Sequence, residues 1–230
     1  MLLTKVIVNT VKKGGIMKRW EDHYKARVDN RFYLKSLIIK YKRFLDEIII
    51  NIKSMPEKGI VFKEEGCGIG TVSRALNVEI YDLCKALGIT KESYNFDISK
   101  VICTDIDRDM LALCCENTYK MEEGLLSSVP LAYLKEDIRE TKFFEYPTVV
   151  VTHGVLEHFE DEDITQIMET YKDRNVRFHA HYVPTDKYEK PSFGDERLMP
   201  VSKWVSLTNP DYYIVDNAGC DLYLFFNNEQ

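Results

Sequence analysis

The 230-residue chain has no stretch of eighteen consecutive apolar residues, so nothing in it reads as a membrane-spanning helix. Its most apolar patch, "FLDEIIINI" at residues 44–52, is short and carries two acids. The N-terminal "MLLTKVIVNTVKKGG" puts its apolar stretch ahead of its lysines, the reverse of a secretory signal, so a cytoplasmic chain is expected. Neither a CxxC nor any paired metal spacing occurs among the six cysteines, at 67, 84, 103, 114, 115 and 220. Several lie in apolar runs ("VICTDI", "LALCCEN"), which predicts buried free thiols in a reducing compartment. Internal repeats and low-complexity segments are also lacking.

Charge is unevenly spread behind a net −6. Residues 1–60 carry 14 Lys/Arg against 6 Asp/Glu, and the remainder 17 against 31. The acidic body argues against a broad nucleic-acid footprint. The basic arm is expected to pair with that body, or else to meet an anionic substrate. With 45% hydrophobic residues, the length suits one globular domain with a small arm.

Apolar side chains at Leu34, Leu37/Ile38, Tyr41, Phe44/Leu45, Ile48 and Ile52 recur at helical spacing, predicting one helix over 31–53 after a start signal at Asp29-Asn30. A shorter helix is expected around 20–28. "MPEKG" then breaks the pattern. From there strand and helix alternate: "GIVFKEE", a helix closed by Gly88, "SKVICTDID", "RDMLALCCENTYK", "AYLKED", "PTVVVTHG", "DEDITQIMETYK", "VRFHAHYV", "PVSKWVSLT", and two closing strands, "DYYIVDN" and "DLYLFFN". Such alternation predicts an open α/β sheet, mostly parallel, with helices on both faces.

"EEGCGIGT" at 64–71 falls between the first strand and its helix, where ligands bind in such sheets. The glycines serve close backbone approach to a ligand, or only a tight turn. A phosphate loop would end in Gly-Lys-Ser/Thr, and no lysine is there. A dinucleotide fingerprint would read GxGxxG, whereas Gly66, Gly68 and Gly70 read GxGxG. The preceding glutamates would repel a pyrophosphate and suit a cation.

These residues resemble motif I of the class I S-adenosylmethionine-dependent methyltransferases, (D/E)xGxGxG. "VICTDIDRDML" resembles the family's second motif, "LKEDI" the third, and "VVTHGVLEHFEDED" the fourth strand and its loop; the match covers about residues 59–184. The resemblance implies a Rossmann-like fold: seven strands, an antiparallel last strand, and an N-terminal helical arm or cap. It divides the chain into a leader and arm (1–56) and a catalytic domain (57–230) with a lid around 184–200. It implies S-adenosylmethionine as cofactor, S-adenosylhomocysteine as product, and a cofactor site of Glu65, Gly66, Cys67, Gly68, Gly70, Asp105, Ile106, Asp137, Ile138 and His153. Asp105 would hold the ribose hydroxyls and Asp137 the adenine amino group. Asp107 fits helix capping better, leaving Asp105 to bind. Thirty-five residues separate Gly70 from Asp105, against about twenty in related folds; the excess reads as a lengthened helix plus loop.

Methyl transfer needs a positioned nucleophile, and a base only where the nucleophile must lose a proton. His153, Glu157 and His158 are the candidates, each with a purely structural alternative in packing or loop support. Tyr24, Tyr182 and Arg197 are candidate substrate contacts, Arg197 alternatively an internal ion pair. Trp20 and His23 are candidates for closing over the cofactor. The expected activity is methylation of O or N on a small molecule. A metal-assisted O-methyltransferase is one alternative, with "LEH", His179 and His181 as ligands, although Gly154 stands where that pattern wants a glutamate. A module that binds the cofactor without catalysis is another. Membrane partners are not expected, nor are nucleic acids, and oligomeric state is not legible.

Lys13-Gly14-Gly15-Ile16-Met17 can be encoded by a purine-rich ribosome-binding sequence ahead of a start codon, so Met17 is expected to be the natural start. Intact mass of natively expressed protein checks this: a mass beginning at Met17 is expected, and one beginning at Met1 refutes it.

Overall fold

The computed structural model describes residues 22–25, 27–28, 30–88, 98–119, 129–143, 145–192 and 195–228. The leader, Met17 and Trp20 lie outside the described residues. After a helical turn at 22–25 come α1 (Arg31–Lys40), α2 (Lys42–Ser54), β1 (Ile60–Glu65), α3 (Thr71–Leu87), β2 (Ile98–Asp105), α4 (Arg108–Tyr119) and β3 (Leu131–Lys135). Then follow β4 (Thr148–His153), α5 (Asp161–Thr170), β5 (Val176–Pro184), α6 (Val201–Thr208), β6 (Tyr212–Asp216) and β7 (Asp221–Asn227). Among the described residues no helix is long and apolar enough to cross a membrane.

The sheet order is β3-β2-β1-β4-β5-β7-β6, with β7 antiparallel to both its neighbours and the other strands parallel to one another. That is the expected sheet. Its chain order reverses at β1 and β4, which opens a crevice at their carboxyl ends. The central strands are buried on both sides between two helical layers, mostly by apolar side chains, with Lys63, Glu64, Glu65, His179 and His181 among the buried polar exceptions. Alternation sorts them: Val149 and Val151 face α1–α4, while Val150 faces α5 and α6.

The N-terminal helices share the main core. Phe44 of α2 is fully buried, its ring 5.2 Å from Tyr223 and 6.0 Å from Phe225. Asn30 caps α1 by accepting the N–H of Tyr33 at 3.0 Å, consistent with the predicted start signal. The predicted single helix over 31–53 is corrected: α1 and α2 meet at Tyr41, whose φ −103° and ψ 22° leave the helical region. The bend turns the Tyr41 ring inward, 4.4 Å from His153 and 5.0 Å from Tyr182.

Cys67, Cys103 and Cys114 are buried free thiols as expected. Cys115 is exposed because it is one step round α4 from Cys114, and Cys220 is half-buried in a turn.

On the far layer, Trp204 is fully buried and its indole N–H donates to the Pro184 carbonyl at 3.1 Å. Trp204→Ala is expected to cost about 3–5 kcal/mol by denaturant titration, since a large cavity and an orphaned carbonyl remain. A loss below about 1 kcal/mol would refute that packing.

Candidate active site

The site forms along the carboxyl ends of β1, β2, β3 and β4. Glu64 and Glu65 end β1 on opposite faces. Glu64, on the face of Phe62, is buried and accepts the N–H groups of Val72 (3.1 Å) and Ser73 (2.9 Å) and the Ser73 hydroxyl (2.5 Å). It thereby caps α3 at the positive end of the helix dipole. Burial pushes its carboxyl up to about 8, against the pull of those donors. Glu65 points the other way, fully buried, accepting the Tyr171 and Thr141 hydroxyls and pairing with Lys63 Nζ at 2.7 Å. The expectation for Glu65 is therefore corrected: the sheet separates its carboxylate from the glycine loop, and Glu64 stands beside that loop instead.

All three loop glycines have positive φ. A Cβ on Gly66 would lie 2.6 Å from Val155 Cγ2, and one on Gly70 would lie 2.7 Å from Cys114 Sγ. Gly66 thus lets the loop after β4 approach. Gly70 serves the packing of α4 and does not border the cleft, which corrects its expected ligand role. Gly68 donates its N–H to Asp105 Oδ2 at 3.0 Å, and Asp107 donates its N–H to Asp105 Oδ1 at 2.9 Å. Despite the long insertion, β2 pairs in register with β1 and delivers Asp105 to the loop. Burial pushes the Asp105 carboxyl up to about 6. Asp107 accepts the Asp109 N–H at 2.8 Å at the start of α4, the capping role expected of it.

A cleft of about 330 Å³ runs from Gly66 past Asp105, Ile106, Asp137 and Ile138 to His158. Ile106 is 45% exposed, an unusual position for isoleucine, and offers an apolar edge to a ligand. The Asp137 carboxylate is held in a fork by Arg139, at 3.0 Å from Nε and 2.5 Å from the terminal nitrogen. A small pocket of about 50 Å³ lies against Tyr24, Glu64, Cys67 and Gly68. A chamber of about 260 Å³ is walled by Tyr24, Tyr33, Tyr41, Tyr182 and Tyr188, with His153 and Glu157 at one end. Gly154 borders all three spaces.

His153 stacks on Tyr182 at 4.5 Å, and burial, with Lys40 nearby, lowers it to about 4. Glu157 is buried; desolvation, aided by Glu196 and Asp195, raises its carboxyl to about 8. His158 borders both cleft and chamber, lies 3.4 Å from Asp195, and is lowered by burial against that acid's pull. Tyr24, His23 and Tyr182 line the chamber. Arg197 does not, which corrects its role: its N–H donates to the Glu157 carbonyl at 2.8 Å and its guanidinium holds Asp161 at 2.5 Å, clamping the segment after β5 to the loop after β4 and the start of α5.

His179 and His181 are on the opposite sheet face from His153. They contact each other at 2.8 Å, and His181 meets the Thr152 hydroxyl at 2.8 Å. Burial drives His181 down to about 3 and His179 well below its ordinary value. The structure therefore does not bring them to Glu157 and His158, as the metal alternative required.

Sequence reading missed Lys40, Tyr41, Tyr188 and Asp221. Asp221, buried at the start of β7, accepts the Tyr182 hydroxyl at 3.0 Å and the Tyr188 hydroxyl at 2.6 Å. Lys40 donates to Tyr188 at 3.1 Å and lies 4.0 Å from Asp221. No local motif marks these residues, which come from three separate parts of the chain: the end of α1, the segment after β5 and the start of β7.

Neither a protein-family model nor a curated protein matches the chain. Solved structures do. An S-adenosylmethionine-dependent methyltransferase from Clostridium acetobutylicum superimposes with a TM-score of 0.61 over 91% of this chain and 99% of that one, at 8% identity. Magnesium protoporphyrin IX methyltransferase from Synechocystis, with bound S-adenosylhomocysteine, gives 0.58 over 96% and 97%, at 14% identity. A small RNA methyltransferase gives 0.60 over 82% of this chain and 25% of its own length, at 12% identity. The chain has the fold of the class I S-adenosylmethionine-dependent methyltransferases.

Glu157 generates a pH prediction. Between an ordinary value of 4.5 and a folded value of about 8, the folded state keeps a proton that the unfolded chain has released. Stability must fall as pH rises through that window. Glu157→Gln has no such proton, so thermal denaturation is expected to show the wild type losing stability relative to it from about pH 5 to pH 8. Parallel curves for the two proteins would refute the assignment.

Proposed function

We propose that this protein transfers a methyl group from S-adenosylmethionine to oxygen or nitrogen of a small-molecule acceptor. The carrying observation is the meeting of cleft, pocket and chamber at the single residue Gly154. A ligand lying along the cleft and pocket ends at the mouth of the chamber, where an acceptor would be held within reach.

The residues present fit this cofactor. Asp105 is pinned by two backbone N–H groups, and its remaining lone pairs suit the paired hydroxyls of a ribose. Ile106 and Ile138 offer apolar surface to a purine. Asp105, Asp107, Glu136, Asp137 and Asp163 make an acidic cleft that favours a cationic nucleoside over a pyrophosphate. When bound, S-adenosylmethionine supplies a methyl carbon already activated by a positive sulfur. Tyr24, Tyr41 and Tyr182 position the acceptor with neutral His153 beside it, while Glu157 takes up a proton from it only after releasing its own. A small molecule is favoured over RNA by the acid excess of residues 61–230, which opposes a polyanion.

Thermal shift tests this reading. S-adenosylhomocysteine is expected to stabilise the protein by about 2.7 kcal/mol at a hundredfold excess over Kd, with no shift from NAD or ATP. Asp105→Ala is expected to abolish most of the shift. An equal shift from NAD would overturn the cofactor assignment.

A further inference from the structure

Two buried polar atoms at the inner end of the chamber have no hydrogen-bond partner among the described residues: Glu157 Oε2 and His153 Nε2. Orphaned atoms of this kind are costly and rare in folded proteins. Glu157 is only 4% exposed. Its other oxygen stands over the junction, 3.4 Å from where a Cβ on Gly154 would lie. The His153 ring is wedged between Tyr41 and Tyr182. Burial keeps it neutral, and a contact to its own backbone takes the other nitrogen, so Nε2 carries the free lone pair. The site therefore holds one neutral imidazole acceptor, His153 Nε2, and one unpartnered carboxyl, Glu157, which becomes a second acceptor once a bound cation draws off its proton.

We infer that the acceptor is an amine, its nitrogen seated between Glu157 Oε2 and His153 Nε2 and its carbon skeleton packed in the tyrosine-walled chamber. This rests on the methyl-transfer reading above. An ammonium has a proton for each of the two atoms, whereas a hydroxyl has only one to give. A carboxylate or phosphate acceptor would meet Glu157, Glu196 and Asp195 at like charge. Two lysines also line the chamber, Lys40 and Lys190, and Lys40 is engaged by Tyr188 and Asp221.

The step balances. Glu157 is a neutral carboxyl in the empty site; as the ammonium binds it releases its proton to water, and the carboxylate so formed takes one proton from the ammonium, freeing the nitrogen lone pair. That pair forms the N–CH3 bond as the S–CH3 bond breaks, and the bonding electrons leave with sulfur. The product departs as a methylammonium, and Glu157 is left protonated, as in the empty site.

Matched probes test this on the full chain. With S-adenosylhomocysteine present, phenethylamine and its isostere phenethyl alcohol are titrated calorimetrically. With labelled S-adenosylmethionine, methyl incorporation is then compared across panels of primary amines and isosteric alcohols. The amine is expected to bind about tenfold or more tighter than the alcohol, with label entering the amine pool. Glu157→Gln should remove that preference while retaining the S-adenosylhomocysteine shift, which also reports that it folds. Equal or better binding and labelling of alcohols, or an unchanged preference in Glu157→Gln, overturns the inference. Failure of S-adenosylhomocysteine to bind the wild type would instead overturn the methyl-transfer reading itself.

Discussion

The carboxylate of Glu64 accepts the free N–H groups at the start of α3 and so fixes where that helix begins relative to β1. Only residues 66–70 remain to join strand to helix, and they must turn sharply. Positive φ at Gly66, Gly68 and Gly70 is the outcome. With the turn fixed, the Gly68 N–H points across to β2 and meets Asp105. Gly66 leaves room for Val155, which brings the loop after β4 against the same turn. Cleft, pocket and junction all inherit their shape from that one buried cap. A side chain too short to reach both N–H groups would free the helix end and orphan buried donors, a loss of about 1–3 kcal/mol.

The opposite face holds the strand ends from behind. Lys63 pairs with Glu65 at 2.7 Å and Glu136 at 2.6 Å, and Tyr171 and Thr141 hydroxyls complete the shell of Glu65. A buried ion cluster gives little net stability, but removing one partner costs about 3–5 kcal/mol. Its effect here is positional. Glu136 borders the cleft and precedes Asp137, so the cluster ties the third strand's end to the first. The neighbouring Thr152–His181–His179 chain is likewise internally satisfied, its histidines spent on each other.

How far the sequence carried the reading depends on how local each signal was. Strand and helix alternation depends on nearest-neighbour pattern, and the sheet followed it. The resemblance of "VICTDIDRDML" singled out Asp105 despite its long spacing from Gly70, and the parallel pairing of β1 with β2 sets that carboxylate beside Gly68. Glu65 went wrong at a finer scale: in "IVFKEE" the period of two already sets the adjacent glutamates on opposite faces. The bend at Tyr41 left no mark in the apolar periodicity, since the N–H of Tyr41 still bonds the Leu37 carbonyl and the N–H of Leu45 bonds the Tyr41 carbonyl. Arg197 carried the right chemistry for an anion, and its actual partners, Phe159 and Asp161, come from the loop after β4. Asp221 could not be found from its own neighbourhood, because its meaning lies in two tyrosines from β5 and the segment after it.

The two halves of the site are therefore built on different terms. Strand ends and the glycine turn shape the cleft, and these are fixed by the sheet itself. The chamber is assembled from the N-terminal arm, α1, the bend at Tyr41 and the segment after β5, none of which the sheet dictates. Tyr24 and Gly154 border both the small pocket and the chamber. Anything that shifts the arm must alter both spaces at once. Occupying the pocket should thus order the wall against which an acceptor packs, linking the two bindings through the arm. That division also explains why the fold was legible in the alternation of strand and helix while the chamber, built from distant parts of the chain, was not.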